Sequence, residues 1–431
     1  MYYPSTSQAS LKKALWLLSV LACAVYLVMK IPFYTEFRSI EPILVVPLIY
    51  FFVVSQLERK SFPTLMLFVA VFYSVIAWYI GIKLYPDFYS QELKTHPLTR
   101  VFLFLILGYF LSGDNKKTFI ALTLAACSIL ITPWTLGGGF QEILQGARGL
   151  RIDFGIQNAQ HTGMFFGVIL IGCLSFFNRS LTQKKHALTI LLIVFTACSS
   201  FGIYASQNRA TALGLLTTLL FYTLVSLRKL TLRKKSIILV LGSLLATGLY
   251  LISEETLEKS DAENQRIEQM WDGDIKSISS TSIGARLNSW KAGYEWIKKS
   301  PLIGWGHDGG QIVAQNTDWL QGTYSSTFGH MHNSYIEMLV RYGFIGAAIF
   351  LILFIWIGIQ LHQAYRHKVI DKDIYGFLLL SFIFMAVINL TESYFFYWTG
   401  SYLITLLTSI CVTYIWKYQK LKLNGVLSHE S

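Results

Sequence analysis

Charge is scarce in this chain. Only 14% of its 431 residues are Asp, Glu, Lys or Arg, against roughly 25% in soluble proteins, which excludes an ordinary soluble globular chain. Cysteine gives no framework either. Cys23, Cys127, Cys173, Cys198 and Cys411 all fall inside apolar runs without metal-type spacing, so they read as small core hydrophobes. A phosphate-cradling glycine loop, a dinucleotide fingerprint and a Ser–His–Asp signature are absent. So is an Asp-x-Asp pair for a metal-bound sugar nucleotide. Asp272 and Asp274 in "WDGDI" come nearest and read as a solvated loop. There is no internal repeat and no low-complexity tail.

What the chain has is hydrophobic length. It is 53% hydrophobic, and runs of about 17–25 apolar residues can cross a hydrocarbon core of about 30 Å. Such runs recur at 14–32, 40–56, 63–82, 98–112, 117–135, 160–178, 186–204, 208–227, 235–252, 335–361, 374–391 and 397–416. The fold class expected is therefore an all-α polytopic membrane protein with about 12 transmembrane helices. The first run is too long for a cleavable signal and lacks a small-residue cleavage site. The net charge of +12 does not point to nucleic acid. Lys12 and Lys13, Arg59 and Lys60, Lys116 and Lys117, Arg179 to Lys185, Arg228 to Lys235, Arg366 to Lys372 and Lys417 to Lys422 occupy every second inter-span segment. Basic residues gather in cytoplasmic loops, so both termini are expected in the cytoplasm.

Two outer segments are too long to be connectors. One is 136–159, "LGGGFQEILQGARGLRIDFGIQNA". The other, 253–334, is rich in Asp, Glu, Ser, Gly and Trp and reads as a loop domain between spans 9 and 10. The chain then divides into 1–252 with about nine helices, the loop domain 253–334, and 335–431 with about three helices and a tail. Within the loop domain, "SEETLEKSDAENQRIEQMW" is helix-prone. A second helix follows in "GARLNSWKAGYEWIKKS", with Leu287, Trp290, Tyr294 and Ile297 on its apolar face. Pro301 ends it, and "LIGWGHDGG" is a loop.

Cations mark the outer side. Arg209 stands in the first turn of the eighth run, where both the membrane and the helix dipole disfavour a positive charge; an anion partner would offset both, although an interfacial arginine can also snorkel. Arg286 opens the second loop helix. Arg148 and Arg151 lie among Gly146, Gly149 and Gly155, and Lys83 ends the third run. Several arginines at one membrane surface suit a pyrophosphate, whose oxygens guanidinium binds bidentately.

Two histidines precede the tenth run, in "GHMHNSYIEMLVRYG" from Gly329. Ser334 with Glu337 three residues on reads as a capping box, placing the helix start at Tyr335. His332 then sits at the positive end of a helix, which favours neutral imidazole, the form a general base needs. Glu337 reads as cap and as the i,i+4 partner of Arg341. His330 and His332 can instead be metal ligands, since alternate residues of an extended chain face the same way. A third ligand would then have to come from His307, Asp308 or farther away, without recognisable spacing. Spacing does not choose between the two histidines for the base.

The motifs resemble the O-antigen ligase superfamily. His330, His332 and Asn333 followed by Glu337, Gly343 and Gly346 carry the resemblance, as do Arg286, Trp290, Pro301 and the "GWG" at 304–306. "SQNRATALGLL" around Arg209 and "RIDFG" at Arg151 are similar to its arginine elements. The superfamily includes lipopolysaccharide O-antigen ligases, pilin oligosaccharyltransferases and O-antigen polymerases. The resemblance implies transfer of a glycan from undecaprenyl pyrophosphate to a hydroxyl at the periplasmic face of the bacterial inner membrane, with no metal and no other cofactor. Lipid A–core is the acceptor expected, because the extra soluble C-terminal part of pilin transferases is missing. Arg209 and Arg286, supported by Arg151 and Lys83, would hold the pyrophosphate. His332 would be the base, with inversion, and Asn333, Glu337 and Arg341 would support it. A lipid or polysaccharide transporter is the rival from another class, but two related halves are not visible.

Overall fold

A computed structural model describes residues 6–94, 96–227, 282–320 and 329–426. The expected run at 235–252, the acidic helix-prone run, and Asp272 and Asp274 lie outside these residues. The described residues form helices and turns, with no strand among them.

The other expected runs all become helices. These are α1 (Thr6–Met29), α2 (Tyr34–Ile40), α3 (Val45–Val54), α4 (Phe62–Leu84), α5 (Phe104–Leu111), α6 (Asn115–Leu130), α7 (Phe140–Ala147), α8 (Ala159–Thr182), α9 (His186–Ser206) and α10 (Arg209–Leu227). After the gap come α11 (Ser282–Lys299), α12 (Gly309–Asn316), α13 (Ser334–Arg366), α14 (Lys372–Ile388) and α15 (Trp398–Leu423). Among the described residues, seven helical segments are long and apolar enough to cross a membrane, and two apolar helices are shorter. The run at 40–56 counts as one of the seven, Tyr34–Val54, although α2, a 3-10 turn at Glu41–Leu44 containing Pro42, and α3 make it up. The runs at 117–135, 208–227 and 374–391 form helices shorter than a full span. The run at 98–112 holds only the short α5 after a 3-10 turn at Arg100–Leu103.

α15 is the central helix. Nearly every residue from Thr399 to Trp416 is buried, as a helix apolar on all sides must be. Its small residues let neighbours come close, as small faces do between membrane helices. A Cβ added at Gly108 of α5 would lie 2.6 Å from Val412 and 3.0 Å from the Ser409 carbonyl oxygen. α8 pairs with α9 and α14, and α14 also packs on α10.

The described part of the loop domain has its own core. Ala292, Trp296 and Ile297 of α11 meet Trp305, Ile312, Val313, Leu320 and Met331, together with Tyr89 and Val340. The buried face of α11 shares Ile297 with the expected one but not Tyr294. Tyr294 is 58% exposed, whereas Ala285, Ser289, Ala292 and Trp296 face inward. Small residues win because α11 lies tight on α13: a Cβ at Gly293 would sit 2.9 Å from Ile336.

α13 is broken at Gly343, which has φ 58° and ψ −168°, a region open almost only to glycine. The carbonyls freed by the break are taken by the 301–306 turn. Trp305 N donates to Val340 O at 2.8 Å and Gly306 N to Arg341 O at 2.8 Å, while Phe344 N donates to Pro301 O at 2.8 Å. The Tyr73 hydroxyl donates to Tyr342 O. A helix interrupted inside a membrane protein needs such substitutes. Gly343→Ala would place a Cβ 2.4 Å from the Leu302 carbonyl. It is expected to cost about 1–3 kcal/mol in backbone strain and a similar amount in overlap. Thermal unfolding of the detergent-solubilised variant measures this; an unchanged midpoint would remove the break's dependence on glycine.

Candidate active site

The site forms where the start of α13 meets the connector between α14 and α15. α13 begins at Ser334, and its cap is Asn333, whose side chain accepts from Tyr335 N at 2.9 Å and Ile336 N at 3.1 Å. The expected capping box is therefore replaced. Ser334 turns its hydroxyl to Asn389 and the Glu392 carbonyl, and its N–H donates to Asn389 O at 2.9 Å. The connector competes successfully for the serine because it packs directly against the helix start.

Glu337, freed from capping, becomes a buried hub. Its carboxylate accepts from Met331 N at 2.6 Å, Ser393 Oγ at 3.0 Å and Arg341 Nε at 2.6 Å. The i,i+4 pairing with Arg341 is thus as expected. Arg341 also donates to the His307 carbonyl and lies over the Phe396 ring, 4.9 Å from its centroid. One ion pair ties together the histidine loop, the 301–306 turn and the 391–397 connector.

The two rings meet on the same side, 4.0 Å apart at their centroids, but not on extended chain. His332 has φ 49°, left-handed and uncommon for a residue with a Cβ. Its N–H donates back to His330 Nδ1 at 3.3 Å. Both rings face Glu392, a residue that the sequence reading did not single out. His330 Nδ1 is 3.5 Å from Oε1, and His332 Nδ1 is 3.5 Å from Oε2. Glu392 is 1% exposed and His332 8% exposed; His332 Nε2 is shielded from solvent.

Electrostatics sort these groups. Burial pushes the Glu392 carboxyl upward, but the hydrogen bond from His332, the imidazole charges and the Ser393 N–H bring it down to about 2. It is ionised near neutral pH. Burial and the neighbouring His332 lower His330, against the raising effect of Glu392 and Glu337, which favours a neutral ring.

The arginines arrive from three elements. Arg286 of α11 donates from Nε to Thr391 O at 3.0 Å, one residue before Glu392. Arg286 and Arg151 both act on Tyr394, whose hydroxyl is raised by burial and by Glu392 and lowered by Asn208 and the two arginines. Arg209 is exposed at the start of α10, directly after Asn208, which donates to Gln160 O at 3.2 Å. Tyr394 Oη donates to the same carbonyl at 3.2 Å. The start of α10 is thereby tied to the connector that carries Glu392. Lys83 is different. It is exposed, with its ammonium 5.9 Å from the Tyr79 ring centroid, and its described contacts do not bring it to the histidines.

A second residue absent from the sequence reading is His161, fully buried in the first turn of α8. Its Nδ1 is 2.6 Å from Thr399 Oγ1, and its ring packs edge-on against Tyr394 and Tyr397. Tyr397 in turn meets His330. A buried histidine in an apolar run carries no spacing signal. Glu392 carried a faint one, since "NLTES" puts Asn389, Thr391 and Ser393 around a carboxylate in a short connector on the histidine side.

Donor atoms of His330, His332 and Glu392 lie within 4.8 Å of one another, so this set is the one among the described residues that a cation can bridge. The third donor is Glu392, from farther along the chain than His307 or Asp308. The same three groups equally form a carboxylate-held imidazole pair.

Long apolar helices around a buried His–His–Glu cluster flanked by arginines define a polytopic helical membrane protein with a polar site at its helix ends. Residues 192–351 match the family model for O-antigen ligase. The matched stretch includes Arg209, Arg286, both histidines, Asn333, Glu337 and Arg341 but not Arg151 or Glu392. No curated protein matches the chain.

Proposed function

We propose that this protein is an O-antigen ligase, transferring glycan from undecaprenyl pyrophosphate to a hydroxyl of lipid A–core. The reaction takes place at the periplasmic face of a bacterial inner membrane, in a multi-pass protein with both termini cytoplasmic. The observation that carries this reading is the Glu392-held histidine pair with Arg286 anchored one residue away. Pyrophosphate leaves readily when its developing charge is met, and the acceptor alcohol needs a base. His332 takes the hydroxyl proton as the alcohol oxygen attacks the anomeric carbon. The bond to the pyrophosphate oxygen breaks, with inversion, and Arg209, Arg286 and Arg151 receive the charge. Lys83 supports donor binding from the outer end of α4. No metal enters this scheme. Protein-directed oligosaccharyltransferases and glycan polymerases share the donor chemistry and differ in the acceptor.

Purified protein in bilayers, given an undecaprenyl-pyrophosphate glycan and lipid A–core, should produce glycosylated lipid A–core. Arg209→Ala and Arg286→Ala should each lower this rate by roughly 10²–10³, the loss of about 2–4 kcal/mol of charge stabilisation. Lysine should restore part of it, lacking the planar fork. Wild-type rates in both alanine variants would return the arginines to surface and interface roles.

A further inference from the structure

We infer that the two histidines hold opposite tautomers, so that Glu392 is a positioning residue, His332 keeps a basic Nε2 and His330 carries its proton on Nε2. The inference rests on the glycan-transfer reading and divides the labour within its site. It follows from counting donors. The His332 backbone N–H has its proton fixed, so His330 Nδ1, at 3.3 Å, must accept with its lone pair. A neutral His330 then carries its proton on Nε2. Its Nδ1 faces Glu392 Oε1 as one acceptor against another, and that oxygen is already served by Ser393 N at 2.8 Å. Oε2 is left to His332 Nδ1, which must donate because a carboxylate ionised near neutral pH has no proton to give. His332 therefore keeps its lone pair on Nε2. A carboxylate on one imidazole nitrogen orients the ring and stabilises the cation formed when the other nitrogen takes a proton.

Glutamine separates the roles, since its amide can donate in place of a ring N–H but is too weak a base to replace the lone pair. His330→Gln should keep transfer within about tenfold of wild type, the effect expected when one donor replaces another, with the change mainly in KM. His332→Gln should lose about 10²–10⁴ in kcat. Glu392→Gln should lose about 10² or more in kcat with donor KM little changed, and Glu392→Asp should recover part. A structural role alone would not produce that split.

The decisive readout needs no turnover. Nitrogen NMR of full-length, histidine-labelled protein in bilayers reports which ring nitrogen is protonated, and single-histidine variants assign the two signals among nine histidines. One Nδ1–H and one Nε2–H ring, with the Nδ1–H signal lost or shifted in Glu392→Gln, is the expected result. Two rings of the same tautomer, or a spectrum reset by added zinc, would overturn the inference even in active enzyme. Conversely, the expected spectrum in protein that transfers no glycan would leave the tautomers standing and sink the transfer reading instead.

Discussion

His332→Ala is expected to lower glycan transfer by about 10²–10⁴, the range for removing a positioned general base, while donor binding survives. The separation follows from the geometry. The donor's pyrophosphate is assigned to Arg209, Arg286 and Arg151, on α10, α11 and the 148–158 loop, whereas His332 is held by a separate contact to Glu392. Deleting the ring leaves Arg286 on Thr391 and the Glu337 hub intact. The contact of 3.5 Å between His332 and Glu392 is long, as catalytic hydrogen bonds often are before substrate tightens them. Burial raises the Glu392 carboxyl, but its contacts with the two imidazoles and the Ser393 N–H bring it below the ordinary carboxylate range. Chelator should leave the rate unchanged. If the three donors served a divalent cation, chelation would stop turnover and added metal would restore it, because ligand and Lewis acid would be lost together. Chelator-dead, metal-rescued enzyme, or near-normal rates in His332→Ala, would end the base assignment.

Much of this arrangement is legible in the sequence because membrane spans and fixed motifs leave local traces. Apolar length alone locates α1, α4, α8, α9 and α15. The order His330, His332, Asn333, Glu337, Arg341 carries the i,i+4 pair and the helix start to within a residue. What fails locally is what tertiary contact decides. Ser334 is a good cap by type, yet Asn389 and Glu392, more than fifty residues on, claim its hydroxyl. Tyr294 looks like core by period, but the face that α11 turns to α13 is the one carrying Gly293, and Tyr294 is left exposed. The break at Gly343 is invisible to hydropathy, because the 301–306 turn replaces the missing hydrogen bonds from outside the helix. Glu392 lies in what reads as a short connector, and only the fold brings it against the histidines.

The hub at Glu337 should be the costliest single residue to lose for stability. Glu337→Ala leaves the buried Arg341 guanidinium without its carboxylate and leaves Met331 N–H and Ser393 Oγ without the acceptor they share. Removing one member of a buried ion pair typically costs about 3–5 kcal/mol, because the remaining charge stays desolvated. Arg341 keeps its bond to the His307 carbonyl, which satisfies one donor but supplies no counter-charge. Arg341→Met should be destabilising as well, through an isolated carboxylate, though that carboxylate can take a proton and a guanidinium cannot lose one. Combining Glu337→Leu with Arg341→Met should therefore cost less than the two single changes added together, since no buried charge is left uncompensated. Thermal unfolding in one detergent of Glu337→Ala, Glu337→Leu, Arg341→Met and the double variant measures these effects. The connector at 391–397 should also loosen in Glu337→Ala, which protease nicking there would detect before global unfolding. A Glu337→Ala protein with wild-type midpoint and an intact connector would show that the ion pair does not hold the site together.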